Sequence, residues 1–260
     1  MSGLIKYFGG KTLMISELLK LCPKSYSIYC EPFGGSASLL LAQERNCVEI
    51  YNDLSSNVYS LFKVISDTQL FNEFKRKLDL TYYHENIRRE FKQLLKTDTD
   101  ILDRAYHFFY VNKTSFNSAG GFSVSGVIRR KMSKSTSDYL SSVDGLPYFH
   151  DRLSRVVCTQ KDAFEVIQKY NDNDTFMYLD PPYIHETRSS SARYEHEMTD
   201  EQHEELVRLC LKSRTKIMLS CYDHKIYEPL LEKFTKINGL NNRGSYKECI
   251  YVNYLSNEDW

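Results

Sequence analysis

The run Thr175-Phe176-Met177-Tyr178-Leu179 is stopped by Asp180-Pro181-Pro182, and this junction constrains the fold more than any other stretch. The five residues read as a short apolar strand. Proline lacks an N–H and cannot continue a central strand, so the chain must leave the sheet at this point. An acid and a tyrosine, Asp180 and Tyr183, therefore stand at the carboxyl end of a buried strand. That is the edge at which open α/β sheets bind ligands.

The neighbouring rhythm supplies such a sheet. Residues 25–30 read as a strand running into a Pro-Phe-Gly-Gly turn, 36–43 as a helix, 47–51 as a second strand and 56–66 as an amphipathic helix. This βαβα order predicts a parallel, doubly wound, Rossmann-like α/β sheet. From about Thr68 to Tyr110 the apolar period is helical. Residues 112–145 are rich in Gly, Ser, Lys and Arg and have little period. Alternation resumes near Val156, and Thr199 with Gln202 forms a capping box for a helix through about Lys212. Residues 217–220 and 249–254 read as further strands, while 184–198 is a polar loop. The expected organisation is a sheet domain over 1–66 and 150–260, interrupted at 67–149 by a mostly helical insertion. A 260-residue chain that is 42% hydrophobic can bury a core of that size.

Three clusters carry chemistry. In Asp180-Pro181-Pro182-Tyr183, a carboxylate and a stiffened backbone carbonyl are both acceptors. Such a pair suits an aromatic exocyclic amine, whose delocalised lone pair makes it a poor nucleophile until its hydrogens are held. Tyr183 offers a flat face for a base, and stacking of that kind contributes roughly 1–3 kcal/mol. The plainer alternative is a Pro-Pro turn with a surface acid and a packed tyrosine. The second cluster, Glu31-Pro32-Phe33-Gly34-Gly35-Ser36, follows the first strand, and its glycines would let a ligand approach the backbone. A ligand-free tight turn is the alternative. Asp53 ends the second strand, placed either to accept ribose hydroxyls or to cap the next helix. The third cluster is Lys6-Tyr7-Phe8-Gly9-Gly10-Lys11. Gly10-Lys11-Thr12 evokes a phosphate-binding loop, but Ile5 stands where that motif needs its first glycine.

Taken in order, these clusters resemble the Dam-type (alpha-group) DNA adenine-N6 methyltransferases. Asn52-Asp53, Asn112-Lys113-Thr114-Ser115-Phe116-Asn117 and the end strand Glu248-Cys249-Ile250-Tyr251-Val252-Asn253-Tyr254 are similar too, so the resemblance touches most of the chain. It implies an S-adenosyl-L-methionine-dependent enzyme with a target-recognition insertion, acting on an adenine flipped out of double-stranded DNA. Tyr7 and Lys11 would then border the methyl donor, Gly34 and Gly35 would approach its methionine portion, and Phe33 and Ser36 would belong to the same donor site. Asp53 would hold its ribose, and Asp162 with Phe164 would read its adenine. Asp180, Pro181, Pro182 and Tyr183 would hold the target base, with Asp180 also bordering the donor. His185 and Arg188, in the polar loop after Tyr183, either help close over the flipped base or belong to an ordinary solvated loop. This chain has Ser118-Ala119 where those enzymes continue with glycine and arginine, which leaves GATC and other adenine-containing targets equally open.

Formal net charge is zero, with 34 basic and 34 acidic residues, so a nucleic-acid partner must be met by a local patch. Between Lys113 and Lys134 there are five basic residues and no acid. Lys113, Asn117, Arg129, Arg130, Lys131 and Lys134, with Lys6, are the expected DNA contacts; a solvated charged loop is the alternative. Seven cysteines, odd in number and never spaced C-x-x-C, predict reduced thiols in a cytoplasmic protein and no metal site. No apolar run approaches membrane-spanning length. Oligomeric state is not legible. Two other readings stay open: an RNA or protein amine methyltransferase, and a catalytically inactive DNA-binding relative.

Overall fold

The computed structural model describes residues 3–7, 11, 14–97, 99–116, 120–184, 186, 196–238 and 248–255. The chain divides into two compact units, one from residues 1–10 and 55–158, the other from 11–54 and 159–260.

The second unit is built on the sheet. It opens with α1 (Ile15–Leu21), β1 (Ile28–Glu31), α2 (Ser38–Ala42) and β2 (Val48–Asn52). The first unit holds α3 (Ser56–Ser66), α4 (Thr68–Asp79), α5 (Glu85–Leu94) and α6 (Ile101–Lys113). A small hairpin of β3 (Ile128–Arg129) and β4 (Met132–Ser133) follows, then α7 (Lys134–Asp144) and α8 (Leu146–Leu153). The chain returns through β5 (Val157–Thr159), α9 (Ala163–Lys169), β6 (Thr175–Leu179), α10 (Asp200–Lys212) and β7 (Lys216–Tyr222). A 3-10 helix (Lys225–Glu232), β8 (Thr235–Asn238) and β9 (Glu248–Val252) complete it.

The strand order is β5-β2-β1-β6-β7-β9-β8. β2, β1, β6 and β7 run parallel, and β9 inserts antiparallel between β7 and β8. This is the doubly wound, Rossmann-like α/β sheet expected. Every residue of β6 is buried, which is why its sequence is a continuous apolar run without alternation. One apolar cluster joins Met177, Leu179, Ile217 and Leu219 of the sheet to Val166 and Ile167 of α9 and to Leu206, Val207 and Cys210 of α10. α10 starts at the reciprocal Thr199–Gln202 capping box that its sequence announces.

The order of strands reverses between β1 and β6, because the chain proceeds from β1 toward β2 on one side and resumes with β6 on the other. At such a switch point the loops leaving two adjacent strands diverge and open a crevice. Here those loops are Pro32–Gly35 and Asp180–Tyr183.

The helical unit is wider than the expected 67–149. α3 belongs to it because Val58, Leu61, Phe62, Val64 and Ile65 are buried on a face that packs with α4, α6 and α8. The stretch 112–145 is also not aperiodic throughout, since α7 forms at its end. Ser137 and Ser142 are buried beside Tyr139 and Val143, so small hydroxyl residues stand on the helix's inner face and hide its period. β8 escapes sequence reading because it is four residues long and sits at the sheet edge, half exposed.

Candidate active site

The end of β6 delivers Asp180 into a cluster of buried polar side chains. Lys11 Nζ lies 2.7 Å from Asp180 Oδ1 and 3.0 Å from Glu248 Oε1, and donates to Tyr183 Oη at 2.5 Å. Tyr183 Oη donates to Glu248 Oε1 at 2.6 Å, and Ser220 Oγ lies 3.0 Å from Tyr183 Oη and 3.2 Å from Glu248 Oε1. Tyr183 also meets the edge of Tyr222, and Lys11 Nζ sits 4.6 Å from the Tyr183 ring centroid. Lys11, Tyr183, Ser220 and Glu248 are all buried. Asp180 keeps 22% of its side chain accessible, so it is the member of the cluster that an incoming ligand can reach.

Charge inside the cluster is unbalanced, with two carboxylates around one ammonium. Burial opposes the charge on Lys11, but the fields and hydrogen bonds of Asp180 and Glu248 outweigh it and hold the ammonium protonated well beyond its ordinary range. Burial pushes Asp180 up from the usual carboxylate range; Lys11 opposes this and Glu248 adds to it.

A second group of residues lines the loops after β1, β2 and β5. Gly34 N donates to Asn52 O at 2.7 Å, and a Cβ on Gly34 would lie 2.2 Å from a ring carbon of Tyr51. The glycine that suggested a ligand's approach thus makes room for the Tyr51 ring. Gly35 has φ 50°, in the left-handed region, and its N–H donates to Asp53 Oδ2 at 2.8 Å. Its carbonyl accepts from Tyr51 Oη at 2.7 Å. Asn52 ties the loops together: Nδ2 donates to Pro32 O and Lys161 O, while Oδ1 accepts from Thr159 Oγ1 and Lys161 N. Asp53 is buried at the end of β2 and is not a helix cap; Ser55 caps α3. Asp162 is exposed and caps α9 through Phe164 N at 2.7 Å. Phe164 and Phe33 are partly buried against the core, and Ser36 Oγ pairs with Ser38 Oγ. Glu31 accepts from Tyr29 Oη and Leu40 N, and burial pushes its carboxyl up to about 8. It thereby serves the N-terminus of α2, whose cap residue Ala37 has no side-chain acceptor.

The helical unit contains the candidates for nucleic acid. Arg130 and Lys131 form the two-residue tip between β3 and β4 with φ 51° and 61°. Hairpin tips of this hand favour Asn-Gly, so residues with side chains stand there at a conformational cost. Lys131 and Arg130 are exposed, as are Val124, Val127 and Ile128 beside them and Phe116 earlier in the same stretch. The basic stretch is free of acid only in sequence, because Asp138 on α7 pairs with Arg129 at 2.8 Å and also with Lys134. Lys113 departs from expectation altogether. It is buried, donates to Gly3 O at 2.7 Å, and burial with Lys6 nearby pulls its ammonium down to about 7. It anchors the N-terminal segment instead of facing a partner. Lys6 is exposed, and its Nζ donates to Lys113 O and Ser115 O, covering the end of α6. Tyr7 is half-buried in the same segment. Phe8, Gly9, Gly10, Thr12, Asn117, Ser118, Ala119, His185 and Arg188 lie outside the described residues.

Sequence reading missed Glu248 and Ser220. The available signal was an acid opening the otherwise apolar β9, since a buried carboxylate demands a cationic or hydrogen-bonding partner. Among the described residues no His, Cys, Asp and Glu group could hold a metal ion, and no helix is long and apolar enough to cross a membrane.

A Rossmann-like sheet with Asp-Pro-Pro-Tyr at its switch point and a helical unit carrying a basic hairpin defines a class of group-transfer enzyme acting on a planar amine. The D12 class N6 adenine-specific DNA methyltransferase family matches residues 7–243, and the chain belongs to that family. It is therefore an adenine-specific DNA methyltransferase, with DNA as substrate and a methyl donor as co-substrate. Similar proteins include the Type II methyltransferase M1.LlaDCHI of Lactococcus lactis subsp. cremoris, 24% identical over 96% of this chain and 94% of its own. The Type II methyltransferase M.MjaIII of Methanocaldococcus jannaschii is 26% identical over 88% of each. A solved rRNA methyltransferase from Streptomyces viridochromogenes covers 92% of this chain and 83% of its own at TM-score 0.43 and 12% identity, too loose a similarity to bear on the argument.

Proposed function

We propose that the enzyme methylates N6 of one adenine within a specific duplex sequence, using S-adenosyl-L-methionine and taking the base out of the stack. The observation that carries this reading is the Asp180 carboxylate, partly accessible and held beside Lys11 through Oδ1 at the sheet's switch point. An amine inside a duplex is out of reach of such a recessed carboxylate, so the base must come to it. Asp180 accepts one N–H of the amine, and the Pro181 carbonyl, fixed by the following Pro182, accepts the other. Tyr183 sets the plane of the base. With both hydrogens held, the nitrogen lone pair is directed out of the ring, and positioning and fixed charge do most of the work.

The residues after β1, β2 and β5 fit the donor in chemical type. Asp53, a carboxylate at the end of a strand, suits vicinal ribose hydroxyls, while Asp162 and Phe164 suit the edge and face of an adenine. Phe33, Gly34, Gly35 and Ser36 form the turn along which an amino-acid chain would lie. When bound, S-adenosylmethionine supplies an electrophilic methyl group: the N–CH3 bond would form as the S–CH3 bond breaks, the electron pair would stay on sulfur, and the methylated nitrogen would then release one of its two protons to solvent. The helical unit serves as the target-recognition domain, with Arg130 and Arg129 reading bases and Lys6, Lys131 and Lys134 meeting phosphates.

Incubation with labelled S-adenosylmethionine and separate duplex DNA, RNA and protein acceptors tests the reading. Label should enter duplex DNA alone; label in RNA or protein would replace it with one of the other amine acceptors. Asp53→Ala should weaken donor binding by about tenfold in calorimetry, as expected for the loss of hydrogen bonds to a charged group. Unchanged affinity in the folded variant would remove Asp53 from the donor site.

A further inference from the structure

We propose that Glu248 is a positioning residue for methyl transfer: it holds Lys11 and Tyr183 from the sheet side, so that Asp180 can exchange Lys11 for the substrate amine. This rests on the reading of Asp180 as the amine's acceptor.

Glu248 begins β9, whose other residues, Cys249 to Val252, are apolar and buried. A carboxylate there is costly to bury, and an apolar residue would pack a sheet equally well. Its one oxygen Oε1 takes three partners from three parts of the unit: Lys11 at 3.0 Å, Tyr183 of the β6 loop at 2.6 Å and Ser220 of β7 at 3.2 Å. Two of those partners, Lys11 and Tyr183, also contact each other, and Lys11 contacts Asp180. Glu248 thus sits one link behind the reacting acid.

The arrangement has a consequence when substrate enters. Asp180 Oδ1 is bonded to Lys11, and the amine's N–H competes for that carboxylate. A buried ammonium that gives up a counter-ion resists the exchange. Glu248 removes the obstacle because it keeps Lys11 paired while Asp180 turns to the amine. The same carboxylate fixes the Tyr183 hydroxyl, and with it the plane of the ring against which the base lies. Glu248 itself touches no substrate in this scheme.

Two variants of the full-length enzyme test the assignment. Glu248→Gln keeps the shape and one acceptor oxygen but loses the charge. Glu248→Asp keeps the charge but withdraws it from Lys11 and Tyr183. In both, kcat should fall about tenfold or more, because misplacement near the chemistry acts on the transition state. The Michaelis constant for DNA and the dissociation constant for S-adenosylmethionine should stay within about threefold, the pattern of an interaction expressed in the chemical step. If Glu248→Gln does not fold, Glu248→Asp decides on the same two readouts. The proposal is overturned if folded variants keep wild-type kcat, or if the loss lies in DNA or donor affinity with kcat unchanged. If wild-type enzyme transfers no label to DNA, the functional reading has failed and the proposal falls with it; a working wild type with unaffected variants sinks the role of Glu248 alone.

Discussion

The two units use charge in opposite ways. In the sheet unit, Lys11 lies 2.7 Å from Asp180 and 3.0 Å from Glu248, with Tyr183 and Ser220 completing the bonds around Glu248. In the helical unit, Arg129, Arg130, Lys131 and Lys134 stand in solvent on a hairpin and the following turn of α7, where the surface acid Asp138 pairs with Arg129 and Lys134. A buried network with every member bonded has one geometry, and losing a member leaves the others unpaired. Exposed charges are screened by salt, and their pairs are weak, so they can exchange one partner for another. The first arrangement suits chemistry that needs a fixed acceptor; the second suits attraction to a polyanion. Hence damage to the sheet unit should appear in kcat and resist salt, and damage to the hairpin should appear in DNA affinity and follow salt.

The largest effect should come from Asp180→Ala, which removes the acceptor and takes one of the two acids away from Lys11. The rate under saturating substrates should drop by about a thousandfold or more, at the upper end of what a lost transition-state contact costs. If single-turnover rates fall less than tenfold, Asp180 is not the group that holds the amine.

Tyr183 comes next and separates ring from hydroxyl. A stacking face alone would let Tyr183→Phe work nearly as well as wild type. The structure instead commits the hydroxyl to Lys11, Glu248 and Ser220. Tyr183→Phe should therefore lose roughly tenfold in kcat, about the cost of leaving buried groups unsatisfied, and Tyr183→Ala still more. A fully active phenylalanine variant would reduce the network to packing.

Smaller effects are expected on the hairpin. Lys131→Ala and Lys134→Ala should weaken all DNA alike, each lowering the slope of log affinity against log salt by about one. Arg130→Ala or Arg129→Ala should instead relax preference at one base pair, by about 1–3 kcal/mol for a lost bidentate contact. Titrations at several salt concentrations, with sequencing of methylated sites, distinguish the two; a uniform loss in all four variants would move base reading elsewhere. Asp138→Asn should give the smallest change, a gain of about two- to fivefold in DNA affinity at low salt, since it frees Arg129 and Lys134 from a weak surface pair. Burial pushes the Asp138 carboxyl up, but Lys134 and Arg129 together outweigh it and hold the group below the usual carboxylate range, so it is charged and competing at neutral pH. No gain at any salt concentration would mean that neither basic partner reaches DNA.

How much of this was legible depended on the kind of signal. β6 and its Asp-Pro-Pro stop matched the structure residue for residue, because a continuous apolar run broken by two prolines has few alternatives. α3 and the α10 capping box were equally plain. The cluster around Asp180 was legible only in half. Lys11, Asp180 and Tyr183 belong to recognisable motifs, but Glu248 is distant in sequence and joins them through the pairing of β9 with β7, which local periodicity does not encode. Lys113 misled for a related reason: a basic residue in a basic stretch counts toward a patch until the fold turns it inward against Gly3. Asp138 misled in the reverse direction, since it lies past the stretch in sequence and returns to it along α7.

The most direct test of the account is the identity of the modified base. Duplex DNA treated with wild-type enzyme and S-adenosylmethionine is digested to nucleosides and analysed by mass spectrometry, alongside DNA treated with Asp180→Ala. The account predicts N6-methyladenine with wild type and none above background with the variant. Methyl groups on cytosine, or N6-methyladenine produced equally by Asp180→Ala, would contradict it.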